Sequence, residues 1–226
     1  MAQLFDQVLG LPSGLIGTLV FKRRKGANFI STQPAKRSSL PGAEEIAFRS
    51  KFALTGKVAS KINSIQVVKD LWPRSAGRAS KFNDIFHANY GTINTAQNLG
   101  SVKVVPGAGF PTVNPVLTAG VSGIQLATDA LGVNLGIDTS VEKYIVAAGI
   151  IVLQTPSVEG INPLEIIAFK TSQHNLDLIN PVDCAVEFTA ETLATYQNYT
   201  DRKVFACLIT LDDSNKPIRY SGTAHS

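Results

Sequence analysis

The residues that could perform catalysis or bind a metal are few in this sequence of 226 residues, and they lie far apart. The three histidines, His87, His174 and His225, have no second histidine or cysteine at the short spacing that metal sites use. Cys184 and Cys207 stand in apolar, strand-like sequence without an adjacent histidine to lower the thiol pKa. We expect these cysteines to be buried reduced thiols, with a cross-strand disulfide as the alternative. The sequence therefore predicts no metal, no cofactor, no small-molecule substrate and no enzymatic activity.

Three short motifs are similar to known sites, but each lacks an essential part. Residues 120–123 miss the spacing of a serine nucleophile elbow. Residues 55–58 lack the upstream glycine and the hydroxyl residue of a phosphate-binding loop. Residues 212–217 contain two aspartates, and a hairpin turn explains them better than a calcium loop.

The segment from residue 11 to residue 36 combines an apolar, glycine-containing run with a cluster of cations. Its extended pieces on either side of residues 25–28 are typical of β-strands joined by a turn. The apolar positions are Leu15, Leu19, Phe21, Phe29 and Ile30, and the cations are Lys22, Arg23, Arg24, Lys25, Lys36 and Arg37. Because a two-stranded hairpin is only marginally stable in water, we expect this basic β-hairpin arm to pack on another surface.

The charges of the chain are distributed unevenly. Residues 1–100 carry 14 Lys/Arg and 5 Asp/Glu, a net charge of +9, whereas residues 101–226 carry 7 and 12, a net charge of −5. Such a division indicates either an anionic partner for the first half or a head-to-tail contact between subunits.

The elements that would position these residues change in type along the chain. Residues 1–10 favour a short amphipathic helical turn, and two helices are expected from Pro41 to Trp72 and from Ser80 to Tyr90. In the first helix Phe48, Phe52 and Ile62 share the apolar face. Residues 91–101 are typical of a linker.

Beyond residue 101 the pattern indicates strands separated by turns, which favours an immunoglobulin-like (Ig-like) sandwich. The expected strands are residues 102–105, 123–127, 143–153, 166–170, 185–189, 204–211 and 218–220. The predicted fold is therefore α+β. Its parts are an N-terminal basic β-hairpin arm over residues 1–38, two helices over residues 39–95, and an antiparallel β-sandwich over residues 101–226.

The sequence contains no apolar run long enough for a transmembrane helix, and its N-terminus lacks the basic and apolar regions of a secretory signal. We expect synthesis in the cytoplasm. The final location stays open, and it includes a virion or an extracellular assembly.

The order of these pieces resembles a family of uncharacterised proteins, defined by a domain of unknown function, that is common in Bacteroidota. The resemblance is carried by a glycine and lysine pattern, a basic proline segment, an Arg-x-x-Phe helix and the helical residues 81–86. The matching positions of the first three are Gly14, Gly17, Lys25, Gly26, Phe29, Pro34, Lys36, Arg37, Pro41, Arg49 and Phe52. The resemblance implies the same architecture and no defined activity. Similar basic segments in proteins of phage-like origin suggest a particle or filament subunit.

Three functional hypotheses follow. The first, which we favour, is a structural subunit that assembles head to tail into a filament, tube or virion-like particle through Leu15 to Ile30. The second is a nucleic-acid-binding protein that uses Lys22, Arg23, Arg24, Lys25, Lys36 and Arg37. The third is a surface-exposed adhesive or ligand-binding module built on the sandwich loops.

Overall fold

The computed structural model describes residues 2–4, 14–16, 19–24, 27–33, 40–74, 80–96, 99–132 and 135–226. The chain forms two compact units, Met1–Gly42 and Ala43–Ser226.

The first unit is an antiparallel sheet of four described strands. They are β1 (Ala2–Leu4), β2 (Gly14–Ile16), β3 (Leu19–Arg24) and β4 (Ala27–Thr32). The sheet order is β1-β4-β3-β2, and the predicted hairpin is present as β3 and β4, with Phe21 opposite Ile30. The helical turn predicted for residues 1–10 is wrong at Ala2–Leu4, because this segment pairs with β4 and satisfies its backbone in a sheet. Residues 5–10 lie outside the described residues.

The second unit begins with three helices, α1 (Ala43–Ser64), α2 (Gln66–Leu71) and α3 (Lys81–Tyr90). The predicted first helix continues through Gly56 and is interrupted at Ile65, whose φ of −84° and ψ of 102° are extended. It ends at Trp72 as expected, since the residue before a proline is disfavoured in helical geometry.

Two antiparallel sheets follow these helices. The central sheet has the order β12-β11-β7-β8, with β9 beside β7 and β13 beside β11, and a smaller sheet has the order β10-β6-β5. The strands are β5 (Val116–Ala119), β6 (Gly123–Thr128), β7 (Tyr144–Pro156), β8 (Leu164–Lys170), β9 (His174–Asn175), β10 (Val182–Glu187), β11 (Tyr199–Leu211), β12 (Pro217–Tyr220) and β13 (Ala224–His225). A fourth helix, α4 (Ala190–Gln197), precedes β11.

The central sheet is buried on both faces. Val152 of β7 and Ile209 of β11 belong to a core shared with α1, α2 and α3, whereas Ile151 and Leu208 belong to a second core shared with the smaller sheet. This double burial explains why β7 and β11 are continuous apolar runs without polar alternation. The α+β class with several antiparallel sheets is thus confirmed. The division into domains over residues 1–38, 39–95 and 101–226 stays a prediction.

The two cysteines occupy different cores. Cys207 faces the core under the helices, and Cys184 faces the core between the two sheets. Both are free and buried, so the expected reduced thiols are present and the disulfide alternative is wrong.

The strand predicted at residues 102–105 is wrong, although the side chains of Val102, Val104 and Val105 are buried as a strand in the core would be. The backbone of this segment forms hydrogen bonds with side chains and not with a neighbouring strand. Trp72 Nε1 donates to the Val104 carbonyl at 3.0 Å, and Asn89 bonds both the amide and the carbonyl of Lys103 at 2.8 and 3.0 Å. These bonds attach residues 103 and 104 to the helices.

The strand predicted at residues 185–189 is present as β10, which begins three residues earlier and ends two residues earlier than predicted. It ends before Thr189 because the hydroxyl of that residue accepts a hydrogen bond from the Thr192 amide at 3.2 Å and caps α4. The predicted hairpin of the last two strands is present as β11 and β12. The strands β5, β9 and β13 and the helix α4 were not predicted.

Two glycines give a matched test of this packing. A Cβ at Gly56 would meet nothing within 4 Å, whereas a Cβ at Gly149 would overlap the Phe205 carbonyl oxygen and lie 2.8 Å from the Ala206 Cα. We expect Gly56→Ala to stabilise the protein by about 0.5–1 kcal/mol, since alanine favours a helix interior. Gly149→Ala should destabilise it by about 1–3 kcal/mol or prevent folding.

Urea unfolding followed by the fluorescence of the single, buried Trp72 measures both free energies. Equal effects of the two substitutions would contradict the described packing of β7 against β11.

Candidate functional site

The structure brings eight of the predicted site residues into the N-terminal sheet. They are Leu15 in β2, then Leu19, Phe21, Lys22, Arg23 and Arg24 in β3, then Phe29 and Ile30 in β4. The remaining predicted cations, Lys25, Lys36 and Arg37, lie outside the described residues.

The predicted docking residues do not share one face of this sheet. Phe21 stands opposite Ile30, and Lys22 stands opposite Phe29, so Phe29 is on the face that does not carry Phe21. Leu19 is 40% exposed, and Phe21, Phe29 and Ile30 are half-buried. None of the side chains described for Met1–Gly42 is buried. The sheet therefore leaves apolar surface on both faces.

The edge of the central sheet at β8 has unpaired backbone groups. The Thr171 amide donates to the Ala147 carbonyl of β7 at 2.8 Å, and amide direction alternates along a strand. The amides and carbonyls of Ile166 and Ala168 therefore point away from β7. No described strand pairs with β8 on that side.

A groove of about 660 Å³ runs along this edge of β8. Its floor includes residues 165–168, one wall is the end of α1 at Lys61 and Ser64, and the other wall is α4 at Glu191 and Thr195. The groove carries the carboxylates of Glu165 and Glu191 against the single ammonium of Lys61. It is an open, mildly acidic channel beside an unpaired strand.

The other described sheet edges of this unit are better protected against strand pairing. On the opposite edge, β12 contains Pro217, and the Phe110 amide donates to the Tyr220 carbonyl at 2.8 Å. In the smaller sheet, β10 carries Asp183 and Glu187, and β5 has only four residues. By contrast, β8 has seven residues, no proline and an apolar middle, which are the properties of a strand that pairs with another chain.

A second unusual surface is an exposed aromatic face on α1 and α3. Phe52 is 60% exposed, and its ring centroid lies 4.9 Å from that of Phe86. The Phe86 and Tyr90 rings stack at 5.6 Å, and Lys51 Nζ lies 4.3 Å from the Tyr90 ring centroid. Phe48 and Phe52 were predicted to lie on the core face with Ile62, but the core under α1 begins only at Leu54.

The cysteine thiols of the described residues are buried and their pKa values are raised. Burial raises the pKa of the Cys184 thiol to about 11, and burial also raises the pKa of Cys207, which keeps both thiols protonated and poorly nucleophilic at neutral pH. The three histidines are exposed. In the described part of the chain, no group of three His, Cys, Asp or Glu residues is placed to hold a metal ion.

The buried carboxylate of Glu142 has a structural role. It accepts hydrogen bonds from the Thr210 hydroxyl and, at 3.2 Å, from the Asp138 amide, and Arg219 Nε lies 3.1 Å from it. These partners compensate for its burial and attach the segment before β7 to the β11–β12 hairpin.

Sequence reasoning predicted a hairpin in the N-terminal unit but not its four-stranded sheet, and it missed the β8 edge and the aromatic face. The run of residues 166–170 predicts a strand, yet its position at the end of a sheet depends on strand order, which no local pattern encodes. The one available signal for the aromatic face was the set of phenylalanines in the two helices.

No protein-family model matches this chain, and no curated protein matches its sequence. The resemblance to the uncharacterised Bacteroidota family therefore stays a prediction. Among the described residues, no helix is long and apolar enough to span a membrane.

Proposed function

We propose that the protein is a non-enzymatic structural subunit whose N-terminal unit binds a second copy, so that the copies assemble head to tail. The observation that carries this proposal is the N-terminal sheet, in which none of the described side chains is buried although Leu19, Phe21, Phe29 and Ile30 are apolar. The product would be a filament, a tube or a virion-like particle.

The size of the N-terminal unit supports a need for a partner. Folded units of about 40 residues seldom bury enough apolar surface to be stable without a disulfide, a metal or association with another chain. Met1–Gly42 contains no cysteine, and its described apolar side chains remain partly exposed. Covering Phe21 and Ile30 with a second copy would remove that surface from water.

The charges favour a partner surface that differs from the N-terminal unit itself. Residues 1–42 carry six Lys/Arg and one Asp, a net charge of +5, and residues 101–226 have a net charge of −5. A contact between two different surfaces is heterologous, and it propagates into a ring or a filament because each copy keeps one free surface of each kind. In this proposal the two packed sheets of Ala43–Ser226 act as an Ig-like scaffold that presents the acidic surface.

Reversal of the cation run tests the proposal. We expect the variant with Lys22, Arg23, Arg24 and Lys25 all changed to Glu to remain folded and to lose assembly, because like charges would then meet. Light scattering coupled to size exclusion, measured over a range of protein concentrations, reports the mass of the assemblies.

The matched control changes four exposed cations elsewhere to Glu, which alters the net charge equally; these are Lys57, Arg74, Lys103 and Lys216. Assembly that persists in the first variant, or that is lost equally in both, would refute the proposed contact.

A second candidate function, nucleic-acid binding, is favoured by the aromatic face of α1 and α3. Exposed rings on which bases stack, together with cations that contact phosphates, are the parts of a single-strand binding surface. Phe52, which is 60% exposed, supplies such a ring beside the half-buried Phe86, and Lys51 and the exposed Arg49 supply positive charge. The ion pair of Arg49 with Glu45, at 2.6 Å, is exposed and contributes little.

Fluorescence anisotropy with a labelled oligothymidylate at low ionic strength tests this candidate. We expect Lys51→Ala with Phe52→Ala to weaken binding at least about fivefold, since base stacking on an aromatic ring contributes about 1–3 kcal/mol. The control combines Ile179→Ala with Lys216→Ala, which removes an equal charge at exposed positions outside the face. Absence of binding by the unmodified protein would exclude this function.

A further inference from the structure

We infer that the β8 edge of one copy accepts strand β2 of the N-terminal sheet of a second copy, so that the central sheet continues from one copy into the next. This inference rests on the proposed function and identifies the surface that receives the N-terminal unit.

The backbone of the groove supplies the binding groups. The amides and carbonyls of Ile166 and Ala168 point away from β7, and both residues line the groove. An added strand satisfies such groups with main-chain hydrogen bonds, which is the mode of recognition called β-augmentation. Because helices and the second sheet already cover the two faces of the central sheet, strand addition at β8 needs no rearrangement of its core.

The dimensions of the groove match a short edge strand. Residues 165–168 of β8 line the groove, and β2 has three residues, a length of roughly 10 Å. In the sheet order β2 stands at an edge, and no described strand pairs with its outer side. Gly14 at its start has no side chain, which permits a close approach of two backbones.

Charge distinguishes β2 from β1, the other edge strand of the N-terminal sheet. β2 pairs with β3, which contains Lys22, Arg23 and Arg24, whereas β1 pairs with β4, which contains no cation. The groove carries Glu165 and Glu191. Pairing through β2 thus brings the cation-bearing strand next to these two carboxylates.

Ala168→Pro tests the inference in the full-length protein. Proline removes the amide that points into the groove, and proline is tolerated in an edge strand where its nitrogen faces away from the sheet. We expect a folded variant that needs at least a tenfold higher concentration to assemble, measured by light scattering coupled to size exclusion. The matched control, Ala168→Ser, keeps the amide and should assemble like the unmodified protein.

Mixing two variants separates this inference from the proposed function. The Ala168→Pro variant keeps its N-terminal sheet but lacks the acceptor, and the fourfold charge-reversal variant of residues 22–25 keeps only the acceptor. If each variant is monomeric alone, we expect a mixture to form heterodimers and nothing larger. Assembly that is lost by charge reversal but unaffected by Ala168→Pro would overturn the β8 acceptor and leave the proposed function intact.

Two further outcomes would also overturn the inference. Failure of the two variants to form heterodimers would show that β8 pairs with something other than an N-terminal sheet, such as β8 of another copy. If Ala168→Pro does not fold, the double variant Glu165→Lys with Glu191→Lys replaces it as the acceptor variant. Unchanged assembly of this double variant would contradict the charge argument and overturn the inference.

Discussion

Burial of the central sheet on both faces determines how the helices and the smaller sheet of Ala43–Ser226 pack. The strands β7 and β11 pair along twelve register positions, and their side chains alternate between the core under the helices and the core between the sheets. Because the backbone hydrogen bonds of a sheet lie in its plane, the central sheet can gain further ones only at its edges. One of these edges is closed near Tyr220 by the Phe110 amide, and no described strand pairs with the outer side of β8 on the other.

In the proposed assembly, the N-terminal unit is the counterpart of the β8 edge. Its four described strands pair with one another and leave the outer sides of β1 and β2 without a described partner, and none of its described side chains is buried. The second unit instead has two apolar cores, and its strand β8 has no described partner on its outer side. In the proposed assembly, association of two copies would pair the β8 edge and cover part of the apolar surface of the N-terminal sheet.

The sequence predicts the elements of this fold better than their arrangement. Long β-branched runs identify β7 and β11, and the residue before Pro73 correctly ends the helices at Trp72. The same local reasoning fails at residues 102–105, where buried valines favour a strand but Asn89 and Trp72 bind the backbone instead. Likewise, the helical period assigns Phe52 to the core face of α1, and only the tertiary structure shows that the core begins at Leu54. The open edge at β8 could not be predicted, because strand order is a property of the whole sheet.

Amide hydrogen exchange at Ile166 and Ala168, measured in dispersed and in assembled protein, shows directly whether the β8 edge of one copy accepts a strand of another. These amides point away from β7 and have no partner strand within the described residues, so they should exchange quickly when the protein is dispersed. We expect assembly to protect both amides strongly, while protection of the inward-facing amide of Ile167 changes little. Rapid exchange at Ile166 and Ala168 in fully assembled protein would show that β8 does not accept a strand of a second copy.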